Sequence, residues 1–352
     1  MADLTRRQWW AGAFAAAVRF PAPIRVAVIG LQGHPGEVIG PLAALPDVEL
    51  VAIADRDAAG IARARKSPRA ARARAYADFR EMLERENADV VGVCNAADER
   101  APAILECIRH GRHWIAEKPL ANQRAELASI RQALSANPKI RFSMLLPMRF
   151  DSPYLALKQI VDSGAIGEVA NISAQKSYKF RNQPEWKRRH SSYGGTLPWI
   201  GSHMVDLMRF TSGRELKEVF TWQGQVGRFP DIGEMENTTG SLFRLDNGGV
   251  AALHMDFLRP EAAPTHGDDR LRLAGTRGVA EYLAATGVTL VTENRKPEVI
   301  ADLPPKRSVF VDFLESVYNG KPPALSAEDV FRVSEIVLAA RESAEQGRPI
   351  RL

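Results

Sequence analysis

The stretch Ile24-Arg25-Val26-Ala27-Val28-Ile29-Gly30-Leu31-Gln32-Gly33-His34-Pro35-Gly36 decides the fold. Its first six residues form a compact apolar run, the pattern of a strand buried on both faces of a parallel sheet. A glycine-rich turn follows, then Val38, Ile39, Leu42 and Leu45 on one side of a helix. Together these make a dinucleotide-binding opening. Glycines let the backbone approach a pyrophosphate, and the helix N-terminus presents free N–H groups. Gly30, Gln32, Gly33 and His34 are the cofactor-binding candidates here. The spacing is irregular: Gln32 stands where the second glycine of G-x-G-x-x-G belongs, and Pro41 falls inside the expected helix.

The next strand, Glu49 to Ala54, ends in Asp55, 25 residues after Gly30. A carboxylate there accepts hydrogen bonds from ribose hydroxyls and repels a 2′-phosphate, which favours NAD over NADP. Arg56 weakens that preference, because a guanidinium pairs with such a phosphate. Asp55 can also cap the helix that follows. Asp89 to Cys94 is a third parallel strand and runs into Asn95, a further cofactor candidate. After a helix over Arg100 to His110, the strand starting at His113 ends in Glu117-Lys118-Pro119. A lysine at the carboxyl end of a buried strand is costly without a partner or a task, and ligands of open α/β sheets bind at that end. Lys118 is therefore the catalytic candidate, facing cofactor and substrate. With a helix over Arg124 to Leu134 and a strand over Ile140 to Leu146, the alternation predicts a doubly wound parallel sheet across 24–147.

The pattern changes after Pro147. A helix over Asp151 to Asp162 precedes an alternating strand, Val169 to Phe180, then a polar loop over 181–196 and a helix over Pro198 to Phe210. Alternating strands follow at Lys217–Val226, Thr238–Leu245, Gly249–Leu258, Asp269–Ala274, Val279–Leu283 and Val288–Thr292. They predict a large, mostly antiparallel open sheet with one exposed face. The expected organisation is a nucleotide-binding domain over 24–147 and a substrate-binding and oligomerisation domain over 148–352. The closing helices within 309–346 are expected to pack back on the first domain.

The 352 residues suit two domains, and the net charge of +5 is mild. Arg63, Arg65, Lys66, Arg69, Arg72 and Arg74 lack interleaved aromatics, so they read as a solvated helix face, not a nucleic-acid footprint. Cys94 and Cys107 read as buried free thiols. No metal site is expected, because no zinc-ligand spacing exists. Residues 1–23 contain Thr5-Arg6-Arg7-Gln8-Trp9-Trp10 and a small-residue apolar run. This resembles a twin-arginine export signal and predicts a periplasmic protein. The alternative is a frayed N-terminus on a cytoplasmic one. No other run approaches the ~20 apolar residues that span a bilayer, so no stable membrane insertion is expected.

Glu117-Lys118-Pro119, the later Arg149-Phe150 pair, Gly194-Gly195, and Gly201-x-His203-x-x-Asp206 together resemble the Gfo/Idh/MocA family, which includes glucose–fructose oxidoreductase and inositol dehydrogenase. The resemblance runs from about Ile24 to the C-terminus. It implies NAD(P) on the first domain and a carbohydrate-like substrate against the second sheet. It implies that Lys118 contacts the reacting hydroxyl, that Glu117 precedes it on the cofactor side, and that His203 exchanges the hydroxyl proton. Asp206, one helical turn on, is expected to orient a sugar hydroxyl. Arg149 is expected to anchor substrate or to cap the interdomain seam. Tyr178 and Trp186 are candidates to stack on a sugar ring or to pack in the core. The chain departs from the family at Trp199, itself a substrate-binding candidate, where many members carry an aspartate that assists the histidine. It departs again at Asn95-Ala96-Ala97, where T-P-N is frequent, and at Arg100, where a histidine is common.

The resulting expectation is a nicotinamide-dependent oxidoreductase acting on a secondary hydroxyl of a sugar or polyol, assembled as a dimer or tetramer. Export motivates an alternative: a redox-neutral cycle with tightly held cofactor, in a glycoside hydrolase, lyase or sugar dismutase. A third alternative is a non-catalytic sugar-binding protein on the same fold.

Overall fold

A computed structural model describes residues 18–352. The twin-arginine stretch and the small-residue run through Ala17 lie outside the described residues. The first sheet contains β1 (Ile24–Ile29), β2 (Val48–Ala54), β3 (Arg74–Tyr76), β4 (Val90–Val93), β5 (His113–Ala116) and β6 (Phe142–Met144). Its order is β3-β2-β1-β4-β5-β6, and every pairing is parallel. The order reverses at β1, which opens a crevice at the carboxyl ends of β1 and β4. The helix expected after β1 is one α-turn, Gly36–Ile39, followed by a 3-10 segment over Gly40–Ala44. Pro41 sits near the start of that segment, where its missing N–H costs no hydrogen bond. Strand β3 was not expected. It has three residues, two of them exposed, so it carries no hydrophobic period.

The second sheet contains β7 (Val169–Tyr178), β8 (Leu216–Gly224), β9 (Thr238–Leu245), β10 (Val250–Asp256), β11 (Gly267–Gly275), β12 (Gly278–Leu283), β13 (Gly287–Thr292), β14 (Arg295–Val299) and β15 (Ile350–Arg351). The order is β14-β13-β12-β11-β7-β10-β9-β8-β15. Only β7 and β10 pair in parallel. The edge strands β14 and β15 escape sequence reading. The first is polar, fully exposed and contains a proline, as edges tolerate, and the second has two residues. One face of this sheet packs on helices Ser152–Asp162, Ser202–Ser212 and Ala327–Gln346. The other presents Phe220, Trp222 and Leu242, the last two 59% and 49% exposed.

The closing helices join the two sheets. Helix Val309–Tyr318 places Phe310, Phe313 and Leu314 in the core around β1. Helix Ala327–Gln346 lies against β8 and also against β6, where Phe331 meets Phe142 edge-on at 5.6 Å. The strand ends carrying Lys118 are therefore held against the helix carrying His203.

Candidate active site

The site begins at the end of β5. Glu117 and Lys118 are both buried to within 1% of full burial. The Lys118–Pro119 peptide is cis. Arg100 on helix Ala97–Arg109 fastens this turn to the end of β4. Its guanidinium donates to the Pro119 carbonyl at 2.6 Å and to the Asn95 carbonyl at 2.9 Å. Its planar fork reaches both strand ends at once.

Glu117 is tied to the glycine-rich turn. Its Oε1 accepts from the His34 backbone N–H and lies 2.6 Å from His34 Nδ1. Burial alone would raise the Glu117 carboxyl, but Lys118, His34 and Arg100 outweigh it and hold it at about 2. Gly33 makes this approach possible: a Cβ there would stand 2.5 Å from Glu117 Cγ. Gly30 has φ +77°, and a Cβ on it would strike Asn95 at 2.4 Å.

Lys118 Nζ is 3.9 Å from Glu117 Oε2 and 3.8 Å from the Trp199 ring centroid. Burial lowers the ammonium, and Arg100, Lys187 and Lys176 lower it further. Glu117 opposes them, and the result is about 7. Trp199 and His203 are placed by one local feature, a π-helical turn over Leu197–Gly201 that opens helix Ser202–Ser212. Such wide turns re-aim side chains at functional sites. Trp199 packs against Trp186 at 5.0 Å and is stacked by His34 at 6.4 Å. His203 meets the His34 ring edge-on at 6.3 Å. Burial, then Lys118, Lys176 and His34, push His203 well below its ordinary value, so it is neutral near pH 7. Its Nδ1 is buried and has no hydrogen-bond partner among the described residues.

Two basic residues at this site escaped the sequence reading. Lys176 on β7 is fully buried, with Nζ 3.0 Å from Asp269 Oδ2 and 5.1 Å from the Tyr178 ring centroid. The signal was present, since Lys176 shares the apolar face of Ile172 and Ala174 in an alternating strand. Lys187 lies in the polar loop, with Nζ 5.6 Å from the Trp199 centroid; nothing in its local pattern marks it. Tyr178 stacks on His266 at 5.0 Å beside Lys176, and Trp186 lines the same side as Lys187.

Two substrate candidates lie elsewhere. Asp206 is 1% exposed and holds Arg149 in a bidentate pair, with Nε–Oδ2 at 3.0 Å and a second bond from Nη2 to Oδ1. Arg149 also binds Asp329 at 3.1 Å and the Ala324 carbonyl. Both Asp206 oxygens are engaged by the Arg149 guanidinium, and the side chain is buried. Arg149 joins the 3-10 turn Pro147–Phe150, helix Ser202–Ser212 and helix Ala327–Gln346, which is the seam alternative and not a substrate anchor.

The cofactor candidates converge on the crevice. A cleft there is lined by Gly30, Gln32, Asp55, Arg56 and Asn95. Asp55 accepts from Leu31 N–H at 2.7 Å, Gln32 Nε2 at 3.0 Å and Asp57 N–H at 2.7 Å. It therefore fixes the glycine turn, while Asp57 stands at the N-cap of the next helix. Arg56 points outward and pairs with Glu99 at 2.9 Å. The side-chain amide of Asn95 is buried with neither atom bonded. An orphaned amide, a turn too tight for a Cβ and a carboxylate at the second strand end fit a nicotinamide dinucleotide. Bound there, the dinucleotide would supply the hydride chemistry. Arranged around it, His203 can take the proton of a substrate hydroxyl and Lys118 can stabilise the alkoxide that forms.

Comparison with known proteins agrees with this geometry. Residues 24–144 match the model of the oxidoreductase family with an NAD-binding Rossmann fold, and residues 154–281 match that of the GFO/IDH/MocA C-terminal domain. Myo-inositol 2-dehydrogenase of Thermotoga maritima is 26% identical over 292 residues, 79% of this chain and 84% of that protein. A solved Thermotoga maritima protein assigned as an oxidoreductase is 30% identical, with a TM-score of 0.88, over 94% of this chain and 100% of the other. GenD2 of gentamicin A biosynthesis, solved with NAD, shares the fold at 20% identity and a TM-score of 0.79, over 96% of this chain and 98% of the other.

Proposed function

The chain belongs to the GFO/IDH/MocA family of NAD-binding oxidoreductases, and from that premise we propose that it oxidises a secondary hydroxyl of a sugar or polyol. The observation that carries the reading is the meeting of buried Lys118 and neutral His203 across the dinucleotide-binding turn, with His34 joining Glu117 to the His203 ring. Neutral His203 accepts the hydroxyl proton. Protonated Lys118 stabilises the developing alkoxide, and a positioned cation in a site this dry is worth about 3 kcal/mol. Glu117 holds the lysine and the glycine turn in register. A nicotinamide held at the glycine turn would supply the acceptor for the hydride of the carbinol carbon.

NAD is the proposed cofactor. A 2′-phosphate would meet the Asp55 carboxylate, while the Arg56 guanidinium is turned to Glu99. The open sheet face with Phe220, Trp222 and Leu242 supports a homo-oligomer. Arg6-Arg7 and the run after them support export, which fractionation of cells expressing the full chain would test.

The test of activity is incubation of the full-length protein with NAD and a panel of polyols and aldoses. The expected result is reduced cofactor in a one-to-one ratio with ketone. Turnover with no net change in cofactor would replace this reading with a redox-neutral cycle.

A further inference from the structure

Charge at the site does not balance. Arg100, Lys118 and Lys176 are each at least 99% buried. Lys187 is partly buried and lies near the same indole ring as Lys118. The carboxylates facing these four are Glu117, 3.9 Å from Lys118, Asp269, 3.0 Å from Lys176, and Asp98, which acts on Arg100, so four cations meet three carboxylates. Arg100 donates to two neutral backbone carbonyls, and its buried Nε has no partner among the described residues. Lys187 has no carboxylate within 4 Å among the described residues, and its side-chain partner is the amide oxygen of Gln183 at 3.4 Å. Trp199 deepens the deficit. It offers a ring face to Arg100, Lys118 and Lys187 at 5.5, 3.8 and 5.6 Å, where an aspartate would have supplied a full negative charge.

A ring quadrupole attracts cations but leaves their charge in place. Buried charges need a counter-charge. An oxidised nicotinamide would add another positive ring. We propose that the missing negative charge is carried by the substrate: an acidic sugar derivative whose carboxylate or phosphate is bound by Lys187 while its hydroxyl faces Lys118 and His203. Lys187 is suited to this because its ammonium keeps donors unused on a loop that borders Trp186 and Trp199. Burial lowers both Lys187 and Lys118, and Arg100, Lys187 and Lys176 lower Lys118 further.

This inference rests on the oxidoreductase reading, so its test separates the two. The NAD-loaded full-length protein is titrated with glucuronate, glucose 6-phosphate and glucose, following fluorescence of the adjacent tryptophans, and turnover of each is measured in parallel. The wild type is expected to prefer an acidic sugar, and Lys187→Met to reduce the acid-to-neutral ratio of kcat/KM roughly tenfold or more. Lys187→Arg should restore much of that ratio; a merely structural lesion would scale both substrates and leave the ratio alone. Preference for glucuronate identifies a carboxylate, and preference for glucose 6-phosphate a phosphate. Turnover of neutral sugars with no binding of either acid overturns the inference and leaves the oxidoreductase reading standing. Binding of an acid that Lys187→Met weakens, with no hydride transfer, does the reverse. A wild-type preference for glucose, or a ratio unmoved in Lys187→Met, also overturns it.

Discussion

Lys118 Nζ lies 3.8 Å from the centroid of the Trp199 ring, and Trp199 sits on the π-helical turn that opens the helix carrying His203. The indole keeps the lysine in place without neutralising it. The lysine's charge is then set by burial and by Arg100, Lys187 and Lys176 working against Glu117, which brings it to about 7. A depressed lysine is charged below that pH and neutral above it. Oxidation that needs a charged Lys118 should therefore lose kcat/KM as pH rises through about 7. A profile that rises through the same window would make Lys118 the base instead of the alkoxide partner.

Trp199→Asp returns an anion to Lys118. The alkaline limb of the kcat/KM profile should move up by about one unit or more. Trp199→Phe keeps a ring and should leave the limb near its wild-type position. A limb at the same pH in both variants would show that Trp199 does not set the lysine's charge. Circular dichroism of each variant separates this from loss of fold.

The Arg149–Asp206 pair is structural. Burial pushes the Asp206 carboxyl up, while Arg149 pulls against it. Asp206→Asn leaves part of a buried guanidinium unpaired and should lower unfolding free energy by about 3 kcal/mol in denaturant titration. KM for sugar should stay near wild type at temperatures where the variant is folded. A large rise in KM with stability intact would return Asp206 to the substrate.

Asp55→Asn removes the charge and keeps one acceptor oxygen, which can serve Leu31 N–H or Asp57 N–H but not both, since these bond different carboxylate oxygens. The ratio of NADP to NAD affinity should rise by about tenfold. An unchanged ratio would mean that cofactor choice is made elsewhere.

Much of this architecture was legible in the chain. Strand β1, the glycine turn and Asp55 follow from periodicity and spacing, because buried parallel strands leave continuous apolar runs. The pairing of Glu117 with His34 was not legible, since it joins residues 83 positions apart. Asp206 looked like a site residue because it shares a helix face with His203. Only the fold shows Arg149 arriving from 57 positions away to claim it. Lys187 shows the limit from the other side: a lysine in a polar loop is unremarkable until the loop lies against Trp199.

The central claim is that Lys118 and His203 serve hydride transfer from a carbinol to a nicotinamide. The most direct measurement is single-turnover formation of reduced cofactor by the full-length protein, mixed with NAD and the preferred sugar of the panel, for wild type and Lys118→Met. The account predicts formation in the wild type and a loss of about 10²–10³ in rate for the variant, with NAD still bound. Equal rates in the two proteins, or tight NAD binding with no reduction by any sugar or polyol, would contradict it.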